Sequence, residues 1–207
     1  MSKKQKDFFR GKDWTLKGRI LFPKVFKAEV GEYSNKARFS VQFFWERGDE
    51  KNKEALKEML TMMKAYQEEF HPGHKNFIIP IKDYDTYRKK DGNQAADYLE
   101  GCRWINPTSG EDFPPAVFDH QKKRMSENDA SQFTNGRNAL VNVSLFGYEV
   151  KGNTGCAINL RALILMPGGD PIGGATVNPD VLFKGLEEEI KEAESANVDV
   201  VMDSIQI

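Results

Sequence analysis

Cysteine and histidine are scarce in this chain, with 2 Cys and 3 His among 207 residues. Cys102 and Cys156 stand alone, without a CxxC motif, so we expect reduced, buried thiols rather than a disulfide scaffold. His71 and His74 flank a Pro-Gly pair, and we favour a helix-ending turn over a metal site there. The sequence therefore predicts neither a bound metal nor a cofactor.

Long apolar runs and catalytic motifs are also lacking. No window approaches the roughly 18–20 apolar residues of a membrane helix, and no apolar segment follows the basic residues 1–6 as in a secretory leader. The chain has no glycine-rich phosphate loop and no nucleophile elbow. These features favour a protein that is not an enzyme and does not bind membranes.

Asp83 and Asp85 offer the one catalytic alternative. Two carboxylates on one strand face could present Mg²⁺ to a nucleic acid, as a metal-dependent nuclease or resolvase requires. A further acidic ligand would have to come from elsewhere in the chain. A phage structural or assembly protein without a nucleic-acid role is the other alternative.

Charge is distributed unevenly, although the formal net charge is only −1. Residues 1–40 contain 11 Lys or Arg against 4 Asp or Glu, whereas residues 171–207 contain 2 against 8. Such ends can attract each other or compete for one partner. We predict a basic, flexible N-terminus over residues 1–14 and an acidic C-terminal helix and tail over residues 177–207.

Alternating apolar residues predict two β-hairpins. The first joins residues 16–26 to residues 37–45 through turn signals. The second joins residues 139–150 to residues 156–166, and its first strand places an aliphatic face opposite a face with Phe146 and Tyr148. Helical spacing of apolar residues predicts one long helix over residues 49–70, between the hairpins. The pattern indicates a mainly β fold, a small antiparallel barrel with an inserted helix.

Basic and aromatic residues interleave along the predicted strands. Single-stranded nucleic acid exposes phosphates and base faces, so binding without sequence preference needs cations with rings between them. The basic candidates are Lys17, Arg19, Lys24, Arg38, Arg103, Arg137, Lys151 and Arg161. The stacking candidates are Phe44, Trp104, Phe146 and Tyr148. Burial of Phe146 and Tyr148 beneath the inserted helix is the structural alternative.

Short segments in a fixed order along residues 16–174 carry a family resemblance. They are GRILFPKVF at 18–26, ARFSV at 37–41, GCRWIN at 101–106, PAVFD at 115–119, the strand at 139–148, GNTG at 152–155 and DPIGG at 170–174. In order and spacing the chain resembles a family of tailed-phage single-stranded DNA-binding proteins with an OB-fold.

The resemblance implies an OB-fold-like barrel over residues 15–176 and a role in phage DNA replication, recombination and repair. Single-stranded DNA is the implied partner, in the cytoplasm of the infected bacterial host, and the chain is expected to be a monomer or homodimer. Acidic tails of related binders recruit polymerase, primase or helicase. The corresponding candidates here are Asp199, Asp203, Ile205 and Ile207, although related tails often end on an aromatic residue.

Overall fold

Two long hairpins form most of the sheet in the computed structural model, which describes residues 1–31, 35–89, 91–150 and 152–173. The mainly β prediction is confirmed. The helices are α1 (Lys3–Asp7) and α2 (Lys53–Phe70). The strands are β1 (Trp14–Val30), β2 (Ala37–Glu46), β3 (Lys82–Asp83), β4 (Cys102–Ile105), β5 (Thr108–Gly110), β6 (Ala116–Phe118), β7 (Asn138–Val150) and β8 (Asn153–Leu165). Three 3₁₀ turns cover Glu50–Asn52, Asp97–Leu99 and Glu127–Gln132.

Five strands close into a ring. β1 pairs with both β2 and β7, β7 pairs with β8, β8 with β5, and β5 with β2. A closed ring removes the free strand edges of an open sheet, and it agrees with the predicted barrel. Most strand pairs are antiparallel, as predicted, and β8 additionally pairs in parallel with β5 and β6.

The barrel core includes one face of α2. Met59, Met63 and Tyr66 are fully buried in the same cluster as the inward residues of β1, β2, β7 and β8. The helix packs closely against β7 because residue 147 is glycine, and a Cβ there would overlap the Tyr66 ring. Asn52, at the start of the helix, exchanges two hydrogen bonds of 2.8 and 2.7 Å with the backbone of Lys17. These contacts fix α2 against the barrel.

The N-terminal segment, predicted as basic and flexible over residues 1–14, includes α1 and packs on the main core through Phe8 and Phe9. Ser2 and Gln5 form a capping box at the start of α1. Phe9 is buried at 4% exposure, and the Phe8 ring centre lies 5.4 Å from that of Tyr66. The buried Phe9 ring and the partly buried Phe8 ring supply apolar contact to a segment whose other residues are mostly charged.

A second, smaller core covers the outer face of β2 and β4. It comprises Leu21, Phe44, Ala95, Leu99, Cys102 and Trp104. Cys102 and Cys156 are both buried and unbonded, as predicted for the thiols. Burial raises the pKa of the Cys156 thiol to about 12. Among the described residues, no helix is long and apolar enough to cross a membrane.

Candidate nucleic-acid interface

A groove with aromatic and basic walls lies on the outer side of the barrel, where residues 84–89 and 91–99 pass over β2 and β4. We call it the outer groove, and its volume is about 270 Å³. It is lined by Gln42, Lys82, Tyr87, Lys89, Ala95, Ala96, Tyr98, Leu99, Trp104 and Asn106. All these lining residues lie in the described part of the chain, and none carries a carboxylate. The groove therefore presents cations, amides and rings together.

Lys82 and Tyr87 form the centre of the outer groove. The Lys82 Nζ lies 4.7 Å from the centre of the Tyr87 ring, and Tyr87 meets Trp104 edge to face with ring centres 5.1 Å apart. Burial lowers the pKa of Lys82 below its usual value, because the ammonium has lost part of its hydration. A phosphate oxygen at this position would restore a polar partner to the cation.

Backbone pairing holds the groove walls in place. Lys82 on β3 pairs with Trp104 on β4, which puts both residues on the same face of the sheet. The Tyr84 N–H donates to the Cys102 carbonyl at 3.1 Å, and the Gln94 side chain donates to the Tyr84 carbonyl at 2.5 Å. The covering segment is thereby hydrogen-bonded to β4 through Tyr84. A second hydrogen bond, between Gln94 and Tyr84, joins two parts of the segment to each other.

The outer face of the β7–β8 hairpin carries a second pair of rings, which we call the hairpin patch. Phe146 is 40% exposed and Tyr148 is half-buried, while Val141, Val143 and Leu145 on the opposite face are buried. The predicted alternation along this strand is confirmed, and α2 does not cover the two rings. Burial raises the pKa of the Tyr148 hydroxyl above its usual value.

A short stretch of chain connects the hairpin patch to the outer groove. The Ile78 N–H donates to the Thr154 carbonyl on β8 at 3.0 Å, and four residues later Lys82 pairs with β4. Four extended residues span at most about 14 Å. Ile78 and Ile79, at the start of this stretch, are exposed. Rings, apolar surface and a lysine therefore follow one another across this side of the barrel.

Phe44 and Trp104 are buried at 3% and 2% exposure, which does not fit the prediction that they stack on bases. The two residues pair directly across β2 and β4 and lie on the same outer face of the sheet. Residues 84–89 and 91–99 cover that face, however, and bury both rings in the second core. Trp104 still forms part of the floor of the outer groove.

Arg19 and Arg137 contribute to the packing of loops beside β1 and β7. The Arg19 guanidinium donates to the carbonyl oxygens of Gly136, at 2.8 Å, and of Asp170. It also lies 5.5 Å from the centre of the Phe44 ring. The Arg137 Nε is buried without a hydrogen-bond partner in the described structure. These positions differ from the exposed groove cations that the sequence predicts.

Arg103 takes part in an ion-pair network with the two aspartates of the nuclease alternative. Its Nε lies 2.9 Å from Asp83 Oδ2, and Arg47 lies 2.6 Å from Asp83 and 2.5 Å from Asp85. Burial alone would raise the pKa of Asp83, but hydrogen bonds and the charges of both arginines lower it below its usual value. The described residues contain no cluster of three potential metal ligands. A metal ion would have to compete with two arginines for these carboxylates.

The other predicted cations are spread over the barrel. Arg161 and Lys17 are exposed on its outer face, Arg38 is exposed beside Phe113, and Lys24 pairs with Glu29 at 2.6 Å. Lys151 and the tail candidates Asp199, Asp203, Ile205 and Ile207 lie outside the described residues. Those predicted cations that the structure describes therefore do not form one surface. The sequence reasoning missed Lys82, Lys89, Tyr87 and Tyr98, which come from turn-rich segments without periodicity.

The sequence matches the family of the single-stranded DNA-binding protein of Enterobacter phage Enc34 over residues 14–195, and the chain belongs to that family. Among curated proteins, no sequence matches the chain.

Solved structures share the fold at low sequence identity. The single-stranded DNA-binding protein from bacteriophage Enc34 is 17% identical, with a TM-score of 0.63 over 88% of this chain and 97% of that one. The same protein in complex with single-stranded DNA is 17% identical, with a TM-score of 0.65 over 83% and 97%. The gp2.5 single-stranded DNA-binding protein of bacteriophage T7 is 13% identical, with a TM-score of 0.52 over 82% and 93%.

Proposed function

We propose that this protein binds single-stranded DNA without sequence preference and acts in phage DNA replication, recombination and repair. Family membership supports the class of ligand. The observation that carries the site is the outer groove, where Lys82 and Lys89 lie among tyrosines with no lining carboxylate. Cations beside rings match the two exposed parts of a single strand, its phosphates and its base faces.

The proposed path runs from the outer groove to the hairpin patch. Tyr98 is 41% exposed at the groove and Phe146 is 40% exposed at the patch. Base stacking tolerates any sequence because every base has a flat apolar face. The amides of Gln42 and Asn106 can exchange hydrogen bonds with different base edges, since an amide both donates and accepts.

We further propose that the protein works in the cytoplasm of the infected bacterium as a binding protein rather than an enzyme. Phage DNA is exposed as single strands there during replication and recombination. A binder protects such strands and coordinates the enzymes that act on them. The ion-paired state of Asp83 and Asp85 supports binding over metal-dependent cleavage.

Titration of a fluorescent oligo-dT of about thirty nucleotides tests the proposal, since one OB-type barrel covers roughly 4–16 nucleotides. We expect tight binding that weakens as salt rises. For each phosphate contacted, log K should fall by about 0.7 per tenfold rise in salt concentration. A duplex of equal length, measured by anisotropy in the same buffer, is the control. Equal affinity for both DNAs, or none for either, would contradict the proposal. The oligonucleotide should stay uncut in the presence of Mg²⁺.

Deletion of residues 187–207 should tighten binding to the same oligonucleotide. This segment contains Glu187, Glu188 and Glu189 and ends on apolar residues, so it can compete with DNA for basic surfaces and offer a docking sequence to polymerase, primase or helicase. Affinity should be measured at low and high salt, because the competition is electrostatic and screening removes it. A truncated protein that binds no better than the full chain would rule out this competition.

A further inference from the structure

A basic cleft lies where the N-terminal segment crosses the outer side of β7 and β8, outside the outer groove. Its volume is about 350 Å³, and it is lined by Lys6, Phe9, Arg10, Gly11, Lys12, Ser144, Leu145 and Arg161. Four of these residues are cations, none is a carboxylate, and all lie in the described part of the chain. Three cations come from the N-terminus and the fourth from β8.

Two aromatic anchors fix the N-terminal wall of the cleft. Phe9 is buried in the main core, and the Phe8 ring centre lies 5.6 Å from that of Phe70 on α2. The Lys4 ammonium forms an ion pair with Glu69 on the same helix. Gly11 adopts a φ of +74°, which other residues rarely adopt, and so permits the turn that brings Lys12 to the cleft. The cations are therefore presented by a folded segment.

Acidic neighbours do not neutralise the cleft strongly. Arg10 lies 3.1 Å from Asp7, Lys12 lies 3.9 Å from Glu58, and Arg161 lies 3.7 Å from Asp13. Exposed pairs of this kind contribute little and are screened by salt. An incoming phosphate can therefore replace these partners at small cost.

The cleft borders the hairpin patch along one strand. Ser144 lines the cleft, and Phe146 follows it two residues later on the same face of β7. Two residues along a strand are about 7 Å apart. Phosphate-binding cations and a stacking ring are thus neighbours, which is the arrangement that a continuous single strand requires.

We propose that this cleft binds backbone phosphates of the strand whose bases stack on Phe146, so that the N-terminal segment is a second phosphate-binding element. The inference rests on the proposed single-stranded DNA binding. Two guanidinium groups offer paired donors to phosphate oxygens. The apolar lining residues, Phe9 and Leu145, are themselves buried, so the cleft offers no apolar wall for the side chains of an acidic peptide.

The triple substitution Lys6→Ala, Arg10→Ala and Lys12→Ala tests the cleft while keeping Phe8 and Phe9. Titration with oligo-dT of about thirty nucleotides should show a salt slope smaller by about 2, since each lost phosphate contact removes about 0.7. The same relation gives an affinity lower by about 10²-fold at about 0.1 M salt. The matched control is Lys57→Ala, Lys64→Ala and Lys123→Ala, which removes the same charge from exposed positions outside the cleft and should keep most of the slope.

Arg161→Gln provides a second test that alters no residue of the N-terminal segment, and it should lower the salt slope by about 0.7. Thermal unfolding of each variant shows whether the fold is kept. If the unmodified protein binds oligo-dT and both cleft variants keep its salt slope, the cleft inference is overturned while the proposed function stands. If the unmodified protein does not bind oligo-dT, the proposed function fails and the cleft inference fails with it.

Discussion

Replacing Trp104 with alanine should lower the free energy of unfolding by about 3–5 kcal/mol, the usual cost of truncating a buried aromatic residue. Trp104 is only 2% exposed and packs against Phe44, Leu99 and the edge of Tyr87. The substitution would leave a cavity between β4 and the segment that covers it. Urea unfolding followed by circular dichroism measures the change, and the midpoint of thermal unfolding should fall by roughly 2–4 °C for each kcal/mol.

Two control variants separate a core role for Trp104 from a DNA-stacking role. Trp104→Phe keeps an apolar ring in the second core and should recover much of the stability. Tyr98→Ala truncates an exposed ring in the same groove and should cost little stability. If Trp104→Ala were as stable as the unmodified protein yet bound oligo-dT more weakly, the ring would be a base platform and its burial would not describe the DNA-binding state.

Trp104 also shows that the sequence pattern predicts the face of a strand residue but not its burial. Phe44 and Trp104 lie together on the outer face, and alternation along a strand only assigns each residue to one of two faces. It carries no information on whether another part of the chain covers that face. Among the covering residues that the structure describes, 84–89 and 91–99, regular structure is limited to one short 3₁₀ turn, so no periodic pattern reveals their packing.

The β7–β8 hairpin, by contrast, could be predicted because its pairing depends on residues that are close together in the sequence. Its two strands are long and separated by only two residues in the sequence, so the local pattern determines both pairing and face. The N-terminal segment was not predictable in this way, because Phe8 and Phe9 lie among charged residues and find their partners on α2. Candidate cations were the least predictable, since charge alone does not distinguish Arg103, which is paired with Asp83, from Lys82 in the outer groove.

Replacing Phe146 with alanine should weaken binding to single-stranded DNA by about 1–3 kcal/mol, or roughly 5- to 150-fold, because one stacking platform is lost. The ring is 40% exposed on the outer face of the barrel, so its truncation should change the free energy of unfolding only slightly. Tyr148→Ala should also weaken binding, with a somewhat larger effect on stability because Tyr148 is half-buried. Fluorescence titration with oligo-dT and urea unfolding of the same samples measure both quantities.

Val150→Ala is the matched control for the hairpin patch. Val150 lies on the same strand face as Phe146 and is 57% exposed, but it has no ring on which a base can stack. Stacking therefore predicts that Val150→Ala binds normally and that Phe146→Trp binds at least as well as the unmodified protein. If Phe146→Ala and Val150→Ala bound DNA equally well, the hairpin patch would lie off the path of the strand. Base stacking would then be confined to the outer groove, with Lys82 and Tyr87. The basic cleft beside Ser144 would have no neighbouring ring on which a base stacks.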